Sequence, residues 1–235
     1  MSQANGWIGR RDVLQTGIVG AIAFTSAALG VQPLAQASDM SEITTDPDIA
    51  LKRLLDGNQR FVRHRPQHPD QSSLRLKQTA QAQHPFATIL SCADSRVPAE
   101  IVFDQGLGDL FDVRIAGNIV TPEALGSLEY AAILLNSPLL MVLGHERCGA
   151  VTAAVRGGSL PGKIGTFVKP IQPAIAKVKN NPGDPVENAV VANVLYQMER
   201  LLKNSSLLAR QVEAGHLKIV GGRYDLDTGE VTIVG

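Results

Sequence analysis

Apolar positions along the chain follow two kinds of pattern, and their order predicts the fold. Between residues 46 and 62, Ile49, Leu51, Leu54, Leu55, Phe61 and Val62 recur at helical spacing behind Asp46 and Pro47, a capping side chain and a first-turn proline. An amphipathic N-terminal helix is expected there, an arm able to leave its own domain and bury its apolar face on a neighbouring subunit. Residues 64–73 are polar and contain prolines, so they read as a connecting loop, followed by a short helix over 74–83. Continuous apolar runs of strand length then appear at 86–91, 110–115, 139–143 and 217–220, the last running on toward Tyr224. Helix signals separate them at 98–103, at 121–135 behind Thr121-Pro122-Glu123, and at 187–203, where Val190, Val191, Val194, Leu195, Met198, Leu201 and Leu202 recur. The Gly- and Pro-rich stretch at 157–185 reads as a loop followed by an irregular helix.

Apolar strands alternating with helices call for a parallel sheet covered on both faces. A turn signal at 225–229 between 219–224 and 231–234 adds a hairpin. The expected fold is therefore α/β: a mostly parallel central sheet of about four strands flanked by helices, with a C-terminal antiparallel strand and an N-terminal helical arm.

The opening of the chain has a different character. Arg10 and Arg11 precede an uncharged, weakly apolar stretch from 16 to 31, and small residues stand at Ala35 and Ala37. This is the layout of an export signal over residues 1–37, and the paired arginines resemble a twin-arginine signal, which exports folded proteins. The stretch is shorter than the ~20 apolar residues a spanning helix needs, so no stable membrane span is expected after cleavage. A single domain over 38–235, outside the cytoplasm and periplasmic in type, is the resulting expectation.

Composition narrows the partners. With 44% hydrophobic residues, a mean hydropathy of +0.04 and 235 residues, the chain can bury a substantial core, which excludes disorder. Twenty-two basic and 22 acidic residues cancel, so nothing in the charge suggests a nucleic acid or an anionic membrane as partner. A small neutral substrate fits better.

Only two cysteines are present, Cys92 and Cys148, too few for a disulfide framework. Cys92 follows the 86–91 strand, and His145 and Cys148 follow the 139–143 strand. In an open parallel sheet, ligands bind beyond the carboxyl ends of neighbouring strands, so the two loops can converge. Two thiolates and an imidazole suit a borderline-soft dication, and a Cys2His set with an open fourth position is a catalytic zinc pattern. A helix at 149–155 would aim its positive end at Cys148. A Cys92–Cys148 disulfide in an exported protein, or two inert buried thiols, are the competing readings.

Five ordered motifs then resemble the β-class carbonic anhydrases: residues 92–97 (Cys-Ala-Asp-Ser-Arg-Val), 108–111, 114–118, 127–130 and 144–150 (Gly-His-Glu-Arg-Cys-Gly-Ala). The resemblance runs from about residue 46 to the C-terminus. It implies Cys92, His145 and Cys148 as ligands of one zinc ion per chain, Asp94 and Arg96 as a catalytic pair beside it, and Gly149 facing the substrate through its backbone N–H. Gln83 matches a substrate-contacting glutamine in part of the family. Apolar residues such as Val97 are expected to line the substrate pocket. Reversible hydration of carbon dioxide to bicarbonate and a homodimer or homotetramer are implied as well. The same zinc chemistry directed at carbonyl sulfide or carbon disulfide, or a non-catalytic zinc scaffold of this fold, are the alternatives. The chain departs from the family at Ile115, where asparagine is common, and at Glu146, where a small polar residue is usual. Ile89 replaces a tryptophan that some members use in an inhibitory bicarbonate pocket.

Loading metal before export would protect two thiolates from an oxidising compartment. Replacing Arg10 and Arg11 together by lysine should accordingly trap the folded protein in the cytoplasm, as read by cell fractionation; normal export of the double variant would rule out the twin-arginine route.

Overall fold

The computed structural model describes residues 45–235; the expected export signal at 1–37 lies outside the described residues. Five strands form one sheet in the order β2-β1-β3-β4-β5: β1 (Ala87–Ser91), β2 (Leu110–Arg114), β3 (Leu139–His145), β4 (Lys218–Tyr224) and β5 (Val231–Ile233). The first four run parallel, and β5 pairs antiparallel with β4 through the expected turn. Helices α1 (Pro47–Val62), α2 (Ser73–Thr79), α3 (Ala99–Val102), α4 (Pro122–Ile133) and α5 (Gly149–Arg156) occupy the first two thirds of the chain. After them come α6 (Gly165–Val168), α7 (Gln172–Val178), α8 (Pro185–Asn204) and α9 (Ser206–Glu213). Among the described residues, no helix is long and apolar enough to cross a membrane.

Alternation along the strands decides which helices cover which face. Ala87, Ile89, Leu139, Met141 and Leu143 point to one side and pack with Ala50 and Leu54 of α1 and with Ala99 and Val102 of α3. Leu90, Leu140 and Val142 point to the other, against Leu128 of α4, Val194 and Leu201 of α8 and Leu208 of α9. Because both faces are covered, β3 at the centre is buried along its whole length. From β1 the chain crosses to β2 on one side, then passes back over β1 to β3 on the other, so the winding reverses between β1 and β3. That reversal opens a crevice at the strands' carboxyl ends.

Several details differ from the expected elements. The short helix ends at Thr79 rather than near residue 83, since none of its residues is buried and nothing holds another turn. The stretch at 157–185 contains two short helices, α6 and α7, and α9 has no counterpart among the expected elements. Ser205 closes α8 and opens α9, its hydroxyl accepting the Leu208 N–H and donating to Glu129.

The N-terminal helix forms where expected, with the Asp46 carboxylate accepting the N–H groups of Asp48 and Ile49, yet it packs on its own chain instead of leaving it. At Gly57 it comes so close to the end of α3 that a Cβ would stand 1.8 Å from the Phe103 carbonyl oxygen. Next to it the buried Asn58 donates to the carbonyls of Val102 (3.0 Å) and Gly229 (2.8 Å) and accepts the Val231 N–H (2.9 Å). A helix joined to α3 and the terminal hairpin by one buried amide is fixed to its own sheet.

Asp104 ties down the segment that follows α1. Its carboxylate is almost fully buried and accepts from Arg60 Nε (2.6 Å) and from the N–H groups of Gln67 and His68 (2.9 and 3.0 Å). These donors hold its pKa below the ordinary carboxylate value against the upward push of burial. A carboxylate depressed in the folded state contributes stability that is complete above its unfolded pKa of ~3.9 and is lost as pH falls toward the folded value. Asp104→Asn should lower the melting temperature at pH 7 by several degrees, with the gap to wild type narrowing as pH drops below about 4. A gap independent of pH would mean that the ionised form of Asp104 adds nothing.

Candidate metal centre

The crevice at the winding reversal receives the three expected ligand residues. Cys92 is the first residue after β1, His145 is the last of β3, and Cys148 stands at the N-terminus of α5. Ser91 and Leu143 are register partners, so the two strand ends are neighbours. One ligand atom from each of Cys92, His145 and Cys148 lies within 4.8 Å of the others. All three residues are buried, and the cysteines share an apolar cluster with Ile119, Val151, Ala154, Ile171 and Val190. Both thiols are free, which sets aside the disulfide.

Each donor is aimed by a second contact. His145 Nδ1 lies 2.8 Å from the Glu146 carbonyl oxygen, which makes Nδ1 the protonated nitrogen and leaves Nε2 as a lone-pair donor. That Nε2 is buried and has no hydrogen-bond partner. Gly117 N–H donates to Cys92 Sγ at 3.3 Å. The Cys92 thiol is pulled down to about 4, chiefly because Cys148 donates to its sulfur, with the N–H groups of Gly117 and Asp94 adding to the effect against burial. Cys148 is pushed up by the same bond and by burial, while the N–H groups of Val151 and Ala150 in the first turn of α5 act the other way. An orphaned imidazole nitrogen beside a thiol and a thiolate is a donor set that fits a soft or borderline dication. The ion would neutralise two buried thiolates and satisfy the nitrogen at once.

Asp94 and Arg96 meet beside this set. Arg96 Nε and Nη2 donate to the two Asp94 oxygens at 2.9 and 2.8 Å, and the Arg96 N–H adds a third bond at 3.0 Å. Asp94 Oδ2 stands 3.8 Å from His145 Nε2. The Arg96 guanidinium holds the Asp94 carboxyl far below the usual carboxylate range although burial opposes it. Gly149 opens α5, exposed, with nothing within 4 Å of where a Cβ would be.

Gln83 is a different case. It lies exposed in the loop before β1, at the opposite end of that strand from Cys92, so this chain does not bring it to its own site. Val97, expected in the wall of the substrate pocket, has no exposure and belongs to the core under α1, as does Ile89.

With this geometry in view, comparison with known proteins is decisive. Residues 87–231 match the profile of the family described as carbonic anhydrase. Carbonic anhydrase 2 of Mycobacterium tuberculosis is 43% identical over 193 residues, covering 80% of this chain and 93% of that protein. The chain belongs to the β-class carbonic anhydrases. Among solved structures, the β-carbonic anhydrase CcaA superposes with a TM-score of 0.63 at 26% identity, over 78% of this chain and 94% of its own. One of two tetrameric β-carbonic anhydrases from Sordaria macrospora shares the fold at a TM-score of 0.62 and 21% identity, over 80% and 95% of the two chains.

One contact in this carbonic anhydrase is not visible in the sequence, where Arg114 stands only as part of a motif. Arg114, at the end of edge strand β2, donates from Nε to the Cys92 carbonyl (3.2 Å) and from Nη2 to the Asp94 carbonyl (2.6 Å). Its fork spans the loop that carries a ligand and the Asp94 carboxylate. A charged residue closing an apolar edge strand is the available signal. Lysine cannot reproduce two fixed donors, so Arg114→Lys should weaken metal binding roughly tenfold without unfolding the chain. Competition against a chelator of known affinity measures this, and wild-type affinity in the variant would make the clamp dispensable.

Proposed function

We propose that this chain is a zinc enzyme that reversibly hydrates carbon dioxide to bicarbonate and a proton. The observation carrying this reading is the buried Cys92, His145 and Cys148 set, with an unpartnered imidazole nitrogen, next to a carboxylate locked by arginine. Zinc held by these three residues supplies a Lewis acid that brings hydroxide within reach at neutral pH.

The chain's own groups do the rest. Asp94 is ionised, accepts a hydrogen bond from the attacking oxygen and so turns a lone pair toward carbon dioxide. Arg96 occupies both Asp94 oxygens, which keeps the carboxylate charged and away from the ligand set. Gly149, exposed at the first turn of α5, donates its N–H to the developing bicarbonate oxygen, where the helix dipole also favours negative charge.

Place and assembly belong to the same proposal. The Arg10-Arg11 leader supports export in the folded state and work outside the cytoplasm. Leu74, Leu76, Ile101 and Leu134 are each more than half exposed in the single chain, which supports a homodimer or homotetramer that covers them. In such an assembly Gln83 would serve the site of a neighbouring subunit.

Arg96→Ala should leave zinc bound at one ion per chain yet slow hydration about 100-fold at every pH, because the freed Asp94 either loses its orientation or takes the ligand position itself. Initial hydration rates alongside metal analysis test this. A variant as fast as wild type makes the pair structural, and a wild-type protein that turns over carbonyl sulfide but not carbon dioxide overturns the substrate assignment.

A further inference from the structure

Helix α8 is apolar on the face it buries, with two exceptions. Asn193 and Gln197, one turn apart, have no exposed surface and lie among Val190, Val194 and Leu201. Burying an amide without partners is costly, so the partners of these two indicate what they are for. Gln197 Oε1 accepts the Val120 N–H at 2.9 Å, and its Nε2 donates to Asn193 Oδ1 (2.9 Å) and to the Pro170 carbonyl (3.3 Å). Asn193 Nδ2 donates to the Gly117 carbonyl at 2.9 Å. Two of these bonds leave α8 for a single short segment, residues 117–120, between β2 and α4.

That segment touches the metal centre. Residues 115–118 form a tight turn closed by Asn118 N–H to the Ile115 carbonyl at 2.9 Å, with Gly117 at the third position and φ +75°. A side chain at this φ would be strained, and its Cβ would also crowd Ile171 Cδ1 at 2.8 Å, so the position favours glycine. Held at its carbonyl by Asn193, the residue presents its N–H to Cys92 Sγ. A continuous buried path of hydrogen bonds therefore runs from Gln197 through Asn193 and Gly117 to a ligand sulfur.

We propose that Asn193 and Gln197 are positioning residues of the metal centre: they hold the Gly117 turn so that its N–H draws charge from the Cys92 sulfur and keeps that ligand in place. The inference rests on the zinc reading above. It differs from a purely structural role, in which the amides would only add stability to the packing of α8. Hydrogen bonds to metal ligands orient them and tune their basicity, and losing one such contact typically costs about 10- to 100-fold in metal affinity.

Two isosteric variants separate these roles. Asn193→Asp keeps the oxygen that accepts from Gln197 but loses the donor to Gly117, and Gln197→Glu keeps the acceptor for Val120 but loses both donated bonds. Leu201→Ala, on the same helix and in the core, serves as the stability control. With cobalt(II) substituted for zinc, both amide variants should move the sulfur-to-cobalt charge-transfer band to lower energy. Zinc loss to a chelator should accelerate about tenfold. Leu201→Ala should lower the melting temperature and leave band and release rate as in wild type. Should Asn193→Asp fail to fold, Gln197→Glu reads the same two quantities. Amide variants with wild-type band and release, or a Leu201→Ala that shifts both equally, would overturn the proposal. Wild-type protein that takes up neither metal overturns the zinc reading instead.

Discussion

Two thiols and an imidazole share a desolvated corner at the carboxyl end of the sheet, and the surrounding architecture depends on making that corner tolerable. A buried polar atom without a partner costs about 1–3 kcal/mol, and His145 Nε2 is such an atom. Placing it at the end of a wholly buried strand fixes where β3 must stop and how the chain must turn to bring Cys148 back. Arg147 takes a positive φ of 50° in that turn. The strain is held from the terminal hairpin: Glu146 N–H donates to the Tyr224 carbonyl, the Glu146 carboxylate accepts the Leu226 N–H, and Arg147 grips Asp227 with two bonds. Glu146, Asp225 and Asp227 also gather within 4.8 Å of one another, but Arg147 and Arg223 lie among them and meet their charge. The glutamate that departs from the usual small residue of the family thus joins the ligand loop to the hairpin.

Much of this is legible in the order of residues alone. Parallel strands buried on both faces leave continuous apolar runs, and 86–91, 110–115 and 139–143 mark β1 to β3 within a residue or two. His145 belongs to the strand instead of following it, because pairing with Tyr224 extends the ladder past the apolar run. The ligand trio is legible since the chain has only two cysteines and both fall just past strand ends, one of them beside a histidine. Asp94 and Arg96, two residues apart in one exposed loop, need no long-range information to meet.

What escapes the sequence is what depends on distant pairing. Asn193 and Gln197 interrupt an apolar helical stripe, and nothing local indicates that their partners lie 76 and 77 residues away. Arg114 is one of many arginines until β2 and β1 are set side by side. The docking of the first helix is hidden for the same reason. Its amphipathic face tells that it will bury itself, while Gly57 and Asn58, whose partners are far along the chain, decide on what.

Asn58 joins residues separated by 171 and 173 positions, so the first helix of the domain is completed by its last hairpin. During synthesis, the bond to Val102 can form early, but the two to Gly229 and Val231 must wait until the hairpin has been made. Native closure is then a late event, and contacts of such long separation are entropically slow to form. Closure of the domain accordingly waits for residues 229–231, and a polypeptide cut before them would leave two bonds of a buried amide unmade.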